Sequence, residues 1–460
     1  MESSFARGAR EPRLFRSSPE RDFREAPGAM PSPITGPGAR VVDLDVAEAT
    51  HKYLGMGVSF PEASCHLLMG LPADERKAAV ERVFGKTGLG LSIGRVHCGA
   101  SDYSRHFYTY DDVPGDIGLE HFSIAPDRAE VIPVIKEAMA ANPDLFLFSS
   151  PWSPPGWMKD GGTICGGRLL DDMIPVYADY VVKFLAAYKG EGLPIRAFTV
   201  QNEPEASQQS NSPTCLVSAE QETRMIRELA PRLAAAGLEA RPWLFDHNFS
   251  SVERVAACLA DVRLRNLLGG VAWHPYSCRP EEIAGLRADY PDLPMYVTEM
   301  GPHVDKSLRD VLWWGDLVLS SFNNGCGAFT SWCLALDEDG QPNVSLGFPC
   351  AGFIEIHSET RTITESQQCR FFRHVSPFVR RGADVLRTRI VPGPAVAPGN
   401  ELVDGIVHTA FRNPDGSHVV VFVCKGGLGG YGRIQIQVKV GGLYLPVQLF
   451  ANAVATVVIP

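Results

Sequence analysis

Short apolar segments alternate with longer amphipathic segments along most of this chain, and this alternation limits its fold more than any other feature. The amphipathic segments carry apolar residues at helical spacing, and in 218–236 the residues Ser218 and Gln221 match a helix-capping box. The apolar segments have the length and composition of buried strands. They lie at 55–60, 90–98, 144–150, 196–202, 241–247, 268–274, 294–300 and 325–333. Eight such alternations are typical of a (β/α)8 TIM barrel, and we predict this α/β fold for residues 54–382.

A doubly wound open sheet would show the same alternation of strands and helices. Such a sheet normally carries a glycine-rich phosphate-binding loop after its first strand. The segment GMGVSFPEAS at 55–64 does not match that pattern. The barrel is therefore the preferred interpretation, and the open sheet is the alternative.

The pattern changes to period-2 alternation after about residue 382. Turn sequences such as NPDG at 413–416 and the glycine pair at 441–442 separate the alternating segments. These segments lie at 384–391, 403–412, 417–424, 432–440 and 443–459. They predict an all-β side domain over residues 383–460. The segment 37–53 also alternates, and we expect it to add a strand or strands to that domain.

The first 36 residues carry six arginines interleaved with acidic residues and contain no apolar stretch. A secretory signal needs an apolar core, and a transit peptide is poor in acids. We therefore expect a disordered tail at 1–36, with Met30 as an alternative start, and a cytoplasmic protein. The 11 cysteines form no CxxC pair, which predicts free thiols rather than a disulfide framework or a zinc ribbon.

Charge and hydropathy exclude two classes of partner. The formal net charge is −10, whereas a protein that binds nucleic acid or an anionic membrane through its overall field is basic. No apolar run approaches the roughly 18 residues of a membrane-spanning helix. We expect no nucleic-acid partner and no integral membrane segment, and the oligomeric state is left open.

Polar and aromatic side chains follow most of the predicted barrel strands. In a TIM barrel the carboxyl ends of the strands form the catalytic face, so these side chains should converge. They are Arg95, His97, Asp102, Trp152, Asn202, Glu203, Asp246, His247, His274, Tyr276, Glu299 and Trp332. Aromatic faces stack on sugar rings, while Arg, Asn, Asp and His bind hydroxyls. The set predicts a carbohydrate pocket.

Glu203 and Glu299 follow the fourth and seventh strands and should face each other across the barrel mouth. Glycoside hydrolysis uses one carboxylic acid to protonate the leaving oxygen and a second carboxylate across the anomeric carbon. A separation near 5 Å makes the second group a nucleophile, so that configuration is retained. The neighbouring Asn202 is placed to hold the sugar 2-hydroxyl.

Three other interpretations are weaker. His97, His106, His121, His247 and His274 raise the possibility of a metal hydrolase, but no HxH or HExxH spacing occurs, and we expect no metal. The glycine-rich segment 425–432 has no helix after it, so we interpret it as a hairpin loop and not a nucleotide site. A carbohydrate-binding protein without activity would not need both glutamates, although it stays the alternative from a different functional class.

Several segments resemble glycoside hydrolase family 30, the retaining β-glycosidases that include the glucosylceramidases. The resemblance runs from about residue 54 to the C-terminus. The segments are RVHCGASDYS (95–104), YTYDDVPGDIGLEHFSI (108–124), SSPWSPPGWMK (149–159), TVQNEPEA (199–206), AWHPYS (272–277), YVTEMG (296–301), SWCLALDEDGQPN (331–343) and FVRRGADVL (378–386). The chain departs from the glucosylceramidases at Cys333, where they have Asn, and in the lack of a secretion signal.

The resemblance implies a role for each matching residue and a barrel flanked by a β-sandwich. It implies that Glu203 is the acid/base and Glu299 the nucleophile, with no cofactor. Asn202 matches the 2-hydroxyl contact, and Trp152 and Trp332 match the aromatic lining. The other residues that match the sugar pocket are Arg95, Asp102, His274, Tyr276 and Asn343.

The implied function is hydrolysis of a β-D-glucosidic bond by double displacement, as in a glucosylceramidase or β-glucosidase. The partner is then a β-glycoside substrate: a glucosyl lipid, an oligosaccharide or a small aglycone. An endo-β-1,6-glucanase, a β-xylosidase or a β-fucosidase of the same family is the alternative. We further expect burial and the charge of Glu299 to raise the pKa of Glu203, so that this acid is protonated before attack.

Overall fold

The computed structural model of the 460-residue chain describes residues 11–28, 30–33, 40–206, 212–345, 350–392, 405–426 and 432–460. Strands and helices are numbered in chain order. The strands are β1 Arg13–Ser18, β2 Arg21–Ala26, β3 Arg40–Asp43, β4 Glu48–Lys52, β5 Gly55–Phe60, β6 Ile93–His97, β7 Phe146–Ser150, β8 Ile195–Thr199, β9 Arg241–Asn248, β10 Gly270–His274, β11 Met295–Val297, β12 Cys326–Cys333, β13 Ala335–Leu336, β14 Ile354–Ile356, β15 Ile363–Glu365, β16 Asp384–Arg387, β17 Ile390–Pro392, β18 Ile406–Arg412, β19 His418–Cys424, β20 Arg433–Val440, β21 Leu443–Phe450 and β22 Ala453–Ile459. The α-helices are α1 Glu62–Met69, α2 Ala73–Phe84, α3 Val131–Ala141, α4 Ile174–Gly190, α5 Ala219–Ala235, α6 Val252–Leu259, α7 Val262–Arg265, α8 Ala284–Asp289, α9 Val311–Asn323 and α10 Gln367–Phe372.

Strands β5 to β12 close into a barrel, in the order β5-β6-β7-β8-β9-β10-β11-β12. Neighbouring strands pair in parallel, as between β5 and β6 and between β6 and β7. Every residue of β5, β6 and β10 is buried, which explains their continuous apolar runs. The predicted (β/α)8 barrel is therefore confirmed, and the open-sheet alternative is wrong.

The helices between the strands follow the predicted periodicity where the sequence signal was strongest. Helix α5 begins with the predicted capping box, in which Ser218 accepts from the Gln221 N–H and the Gln221 side chain accepts from the Ser218 N–H. Its buried residues are Glu222, Met225, Ile226, Leu229 and Leu233. Among the described residues, no helix combines the length and apolar character needed to cross a membrane.

The chain divides into two compact units. One holds the barrel and the small sheet β13-β14-β15, and spans Met56–Lys306 and Ala328–Ser366. The other spans Met1–Gly55, Ser307–Gly327 and Gln367–Pro460. This second unit therefore includes helices α9 and α10, which lie inside the predicted barrel range 54–382. Trp314 of α9 is buried, whereas Trp313 is 36% exposed.

The second unit is a β-sandwich, as predicted. One sheet has seven strands in the order β2-β1-β22-β19-β18-β16-β4, and the other has four in the order β17-β3-β20-β21. A single apolar core joins side chains from both sheets, including Val42, Val420, Ile436 and Leu445. Strand β3, from the segment before the barrel, pairs in parallel with β20 of this domain. The predicted hairpin loop at 425–432 lies mostly outside the described residues.

The expectation of a disordered tail at 1–36 is wrong for residues 11–28. Strand β1 pairs with β22 and with β2, so these residues form two strands of the seven-stranded sheet. Leu14 and Phe15 are buried, and the Phe15 ring stacks on Phe23 at 5.2 Å. The frequent arginines and acids made these strands difficult to predict from the sequence. Some of these residues are exposed, such as Arg13, which pairs with Glu25 at 2.8 Å. Residues 1–10, 29 and 34–36 lie outside the described residues.

A chain that starts at Met30 should be markedly less stable than the full chain. It loses the buried side chains of Leu14 and Phe15, each worth roughly 1.5–3 kcal/mol, and it opens the edge of β22. We expect a free energy of unfolding lower by roughly 3–6 kcal/mol in a denaturant titration. The double substitution of Leu14 and Phe15 by Ala is the matched variant and should reproduce most of the loss. Identical unfolding of the full and shortened chains would contradict this prediction.

Candidate active site

The candidate site lies at the carboxyl ends of the barrel strands, where a TIM barrel holds its catalytic groups. Arg95 is in β6, Asp246 in β9 and Trp332 in β12, while His274 ends β10. The other five residues lie within four positions after the end of a strand. Trp152 follows β7, Asn202 and Glu203 follow β8, Tyr276 follows β10 and Glu299 follows β11. Separate strands thus bring these side chains to one rim.

Arg95 is fully buried at the centre of this group. Each of its three guanidinium nitrogens donates at least one hydrogen bond. Its Nη1 donates to Glu299 Oε2 at 2.5 Å, and its Nη2 donates to Asn202 Oδ1 at 2.7 Å and Asp246 Oδ2 at 2.9 Å. Its Nε donates to Ser150 Oγ at 3.2 Å. A buried guanidinium with two carboxylate partners is fixed in position, so it orients Glu299 and Asn202 together.

Asp246 accepts hydrogen bonds from both sides of the site. Its Oδ1 accepts from Thr298 Oγ1 at 2.6 Å and contacts His274 Nε2 at 3.0 Å. Its Oδ2 accepts from Ser150 Oγ and Thr199 Oγ1, both at 2.7 Å, as well as from Arg95. Although burial raises the pKa of Asp246, the charge of Arg95 and the contacts with His274 and Thr199 bring it far below its ordinary value. Asp246 is therefore ionised throughout the physiological range.

A β-bulge aims Asp246 into the site. The pairing of β10 with β9 shifts by one residue between Ala272–Phe245 and Trp273–His247, which leaves Asp246 as the extra residue. Phe245 and Asp246 both have positive φ, 82° and 73°. Glu203 has a φ of 46°, and its N–H donates to the Asp246 carbonyl at 3.0 Å. Such conformations cost on the order of 1–3 kcal/mol each for residues with a side chain and are typical of functional sites.

Glu203 and Glu299 meet on either side of His274. One carboxylate oxygen of each and His274 Nδ1 lie within 4.8 Å of one another. His274 Nδ1 is 3.1 Å from Glu203 Oε1 and 4.0 Å from Glu299 Oε1. The Tyr276 hydroxyl donates to Glu299 Oε1 at 2.9 Å. The two glutamates therefore face a common space that could hold a reacting atom.

The electrostatics of the pair differ from the sequence-based expectation. Burial lowers the pKa of His274, but the charge of Glu299 and the contacts with Asp246 and Glu203 together raise it to about 9. Burial raises the pKa of Glu203, but the hydrogen bond and charge of His274 bring it below its ordinary value. Burial raises the pKa of Glu299, the charges of His274 and Arg95 lower it and the charge of Glu203 raises it, so that the pKa lies above its ordinary value. The expectation that the pKa of Glu203 is raised is wrong because it left out the contact with His274.

Aromatic rings form a wall beside Arg95. The rings of Trp152 and Trp332 stack with centroids 5.0 Å apart, and His97 lies 4.3 Å from Trp152 and 5.0 Å from Trp332. The Arg95 guanidinium lies 4.7 Å from the Trp152 ring centroid. Tyr103 packs edge-on against Trp332 at 6.0 Å. This wall provides apolar ring faces next to the charged groups.

Several buried polar atoms near the glutamates have no hydrogen-bond partner among the described residues. Both ring nitrogens of His97 are unpaired, as are Asp102 Oδ1, Gln201 Oε1 and His247 Nδ1. Burial and the charge of Arg95 keep the pKa of His97 well below its ordinary value, so its ring is neutral. Burial and the charges of Glu299 and Glu203 raise the pKa of Asp102 well above its ordinary value. Unpaired buried polar atoms are rare, and these leave hydrogen-bonding capacity for a water molecule or a polar ligand.

One predicted residue is not joined to this network. The Asn343 side chain accepts from the Ser345 N–H at 2.6 Å, and no contact with the glutamates is found among the described residues. Conversely, sequence reasoning gave no role to Asn248, whose Oδ1 accepts from the N–H groups of Tyr276 and Ser277, both at 3.1 Å. Asn248 thereby positions the loop that carries Tyr276. The position of Asn248 beside Asp246 and His247 at the end of a strand is the sequence feature that could have indicated a role in the site.

Glu203, His274 and Glu299 also have the spacing of metal ligands. The charge of Arg95 at 2.5 Å from Glu299 opposes a second cation there. The raised pKa of His274 further opposes a metal, because a metal needs the deprotonated ring nitrogen. The electrostatics of the group favour a shared proton over a bound cation.

The barrel matches a known family of catalytic domains. Residues 53–379 match the glycosyl hydrolase family 30 TIM-barrel domain. This match covers the strands and all the residues of the candidate site.

Relatives from two groups of enzymes align with most of this chain. An endo-1,6-beta-D-glucanase of Neurospora crassa is 26% identical over 98% of this chain and 95% of its own length. The putative glucosylceramidase 1 of Caenorhabditis elegans is 27% identical over 85% of this chain and 77% of its own length. Among solved structures, an endo-beta1,6-glucanase superposes with a TM-score of 0.87 at 26% identity and covers 98% of this chain and 99% of its own.

Proposed function

Because the chain belongs to glycoside hydrolase family 30, we propose that it is a retaining β-glycosidase that hydrolyses a β-D-glucosidic bond by double displacement. Family membership makes it a glycoside hydrolase. The sugar, the stereochemical course and the catalytic residues are the parts that we propose. The observation that carries the proposal is the separation of the two glutamates.

Carboxyl groups about 5–5.5 Å apart fit the retaining mechanism, whereas inverting enzymes need about 6.5–9.5 Å to admit a water. One carboxylate oxygen of Glu203 and one of Glu299 lie within 4.8 Å of each other, which fits the shorter separation. Arg95 and Tyr276 donate hydrogen bonds to Glu299, which opposes the rise that burial causes in its pKa. We therefore assign Glu299 as the nucleophile that bonds to the anomeric carbon, and Glu203 as the acid that protonates the leaving oxygen.

Glu203 and His274 together hold the proton that this acid step needs. Two interacting groups titrate as a pair, so the proton belongs to the hydrogen bond between them and not to one atom. With a pKa of His274 near 9, the pair keeps one transferable proton at neutral pH. Donation by Glu203 is then coupled to the charge of His274, which Asp246 holds from the other side. After Glu299 is glycosylated, Glu203 serves as the base for the incoming water.

Replacement of Glu203 by Ala should slow turnover in a way that depends on the leaving group. General acid catalysis accelerates a reaction by about 10²–10⁴-fold. The value of kcat/KM for an alkyl β-glucoside should therefore fall by that factor. A 2,4-dinitrophenyl glucoside needs no protonation and should still release a burst of phenol. Added azide should then yield the β-glucosyl azide, because it attacks from the vacated Glu203 side. An equal loss for both substrates would contradict the acid role.

The aromatic wall and the unpaired buried atoms support binding of a sugar ring at this place. Trp152 and Trp332 offer apolar faces, while His97 and Asp102 offer hydrogen-bonding atoms that a hydroxyl can satisfy. His97 is neutral, so it has one donor and one acceptor. We propose that it binds a sugar hydroxyl.

The substitution His97→Phe tests this role, because it keeps the ring stacking and removes both nitrogens. We expect kcat/KM for an aryl β-glucoside to fall about 3- to 10-fold, the worth of one neutral hydrogen bond. Stability should not fall, since the unpaired nitrogens disappear with the ring exchange. Lower thermal stability with unchanged kinetics would show that His97 is structural.

A second candidate is endo-β-1,6-glucanase activity. The full-length alignment with the Neurospora crassa enzyme and the superposition on a solved endo-β1,6-glucanase favour it. The glucosylceramidase relative is covered over a smaller share of its own length. Both candidates require the same two glutamates and a glucose at the cleaved position.

Hydrolysis of aryl β-glycosides and of β-1,6-glucan separates the candidates. The aryl panel contains the glucoside, xyloside, galactoside, fucoside and glucuronide, and the Glu299→Gln protein is the blank. Release from the glucoside supports the β-glucosidase and justifies a test on glucosylceramide. Oligosaccharides from β-1,6-glucan, without early free glucose, support the endoglucanase. Silence on every substrate, with sugar binding in calorimetry, would contradict the proposal and favour a binding protein.

A further inference from the structure

A cavity of about 600 Å³ lies in the β-sandwich unit, remote in sequence from the barrel strands. It lies beside the hairpin β1–β2 and the turn that joins β21 to β22. Arg16, Arg21 and Arg24 line it together with Phe450 and Asn452. Its volume is in the range of small-molecule sites. The glycosidase chemistry described above makes no use of this cavity.

Two of these arginines are placed against each other without a carboxylate between them. Arg16 of β1 lies directly opposite Arg24 of β2 in the antiparallel register, so both side chains emerge from the same face of the hairpin. Like charges at such positions repel. Burial and the charge of Arg24 both lower the pKa of Arg16. An anion bound between Arg16 and Arg24 would reduce this repulsion and stabilise the hairpin.

Arg16 is already oriented towards the cavity. Its Nη2 donates to the Gln448 carbonyl at 2.8 Å, and its guanidinium lies 5.0 Å from the Phe450 ring centroid. Its Nε is buried and has no hydrogen-bond partner among the described residues. These contacts hold the guanidinium in place while part of its hydrogen-bonding capacity is unused.

The acidic residues that line the cavity do not neutralise it. Glu25 accepts two hydrogen bonds from Arg13, at 2.8 Å and 2.9 Å, and is thereby already paired. Glu20 accepts from Ser18 Oγ at 3.0 Å. The cavity lining therefore contains three guanidinium groups and one carboxylate, that of Glu20, for which no arginine partner is found among the described residues. The excess charge of the lining is positive, although the whole chain carries −10.

We propose that this cavity is a second ligand site, which binds a phosphate monoester carried on a small ring, such as a sugar phosphate. The phosphate lies between Arg16 and Arg24, because guanidinium groups bind phosphate oxygens in pairs of hydrogen bonds. The ring lies against Phe450, which is 36% exposed. The site is independent of the barrel chemistry and carries no catalytic group.

Calorimetry on the full chain with three probes tests this site. The probes are glucose 6-phosphate, glucose as its uncharged counterpart and inorganic phosphate as its ringless counterpart. We expect glucose 6-phosphate to bind more tightly than either of the others. The substitution Arg24→Gln should weaken it by about tenfold or more and leave hydrolysis by the barrel unchanged. Because Arg24 is exposed, this variant should fold normally. Arg387→Gln, an exposed arginine of the same unit outside the cavity, is the matched control and should bind as the unchanged protein does.

Three outcomes would overturn the proposal. Binding that survives Arg24→Gln would place the ligand elsewhere, including the sugar pocket of the barrel. Glucose 6-phosphate that binds no more tightly than inorganic phosphate would remove the role of Phe450 and with it the proposed ligand class. Absence of binding by all three probes in the millimolar range would reject the site itself.

Discussion

Glu299→Gln should abolish turnover. The amide is nearly the same size as the carboxylate, so the hydrogen bond from Tyr276 can be kept while the nucleophilic oxygen is lost. Loss of an enzyme's nucleophile costs more than about 10⁴-fold in kcat, and we expect at least that here for an aryl β-glucoside. Because deamidation would regenerate Glu299, the mass of the purified variant must be checked before the rate is measured.

Stereochemistry distinguishes a nucleophile from a residue that merely supports the site. In Glu299→Ala, azide can enter the vacated space and attack the anomeric carbon of an activated β-glucoside directly. The product should be the α-glucosyl azide, the opposite anomer to that expected from the Glu203→Ala protein. A β-azide from the Glu299 variant, or wild-type-like hydrolysis, would contradict the assignment of the two glutamates.

Arg95→Met should destabilise the barrel unit severely. It leaves Asp246 and Glu299, both buried, without their shared cation. Breaking a buried ion pair from one side costs about 3–5 kcal/mol, so the unfolding midpoint in urea should fall by a corresponding amount. Activity should fall as well, because Arg95 also holds Asn202.

Two comparisons show whether the loss comes from the uncompensated charge. Arg232→Met removes an arginine that pairs with Asp179 and Glu228 at the surface, and should cost about 1 kcal/mol or less. Adding Asp246→Asn to Arg95→Met should recover part of the stability, because one buried charge disappears. A double variant that is less stable than the sum of the single changes would contradict this explanation.

The barrel could be predicted from the sequence because its strands are buried on both faces and form continuous apolar runs. The predicted ends of the strands were less accurate than the predicted order of the strands. The predicted segment 90–98 shortens to β6, Ile93–His97, because residues 90–92 precede the strand and Cys98 follows it. The hairpin β1–β2 was missed because its buried residues are few and its charged residues many.

The glutamates could be found because their strand ends and spacing are visible in the sequence. The role of Asp246 could not, since it depends on a bulge with two positive φ angles at Phe245 and Asp246, and neither residue is glycine or asparagine. The direction of the Glu203 pKa shift also depended on a contact with His274, which lies 71 residues away in sequence. Such long-range contacts determine the electrostatics of the site.

The bulge at Asp246 has a consequence for how substitutions combine. This carboxylate contacts Arg95, which holds Glu299, and His274, which contacts Glu203. A change at either glutamate therefore acts on the other through Asp246, in addition to their direct charge interaction and their shared neighbour His274. In a double-mutant cycle, replacements on the two sides of the candidate site should show strong thermodynamic coupling, and replacement of Asp246 should remove part of that coupling. We therefore expect the two halves of the candidate site to behave as one cooperative unit.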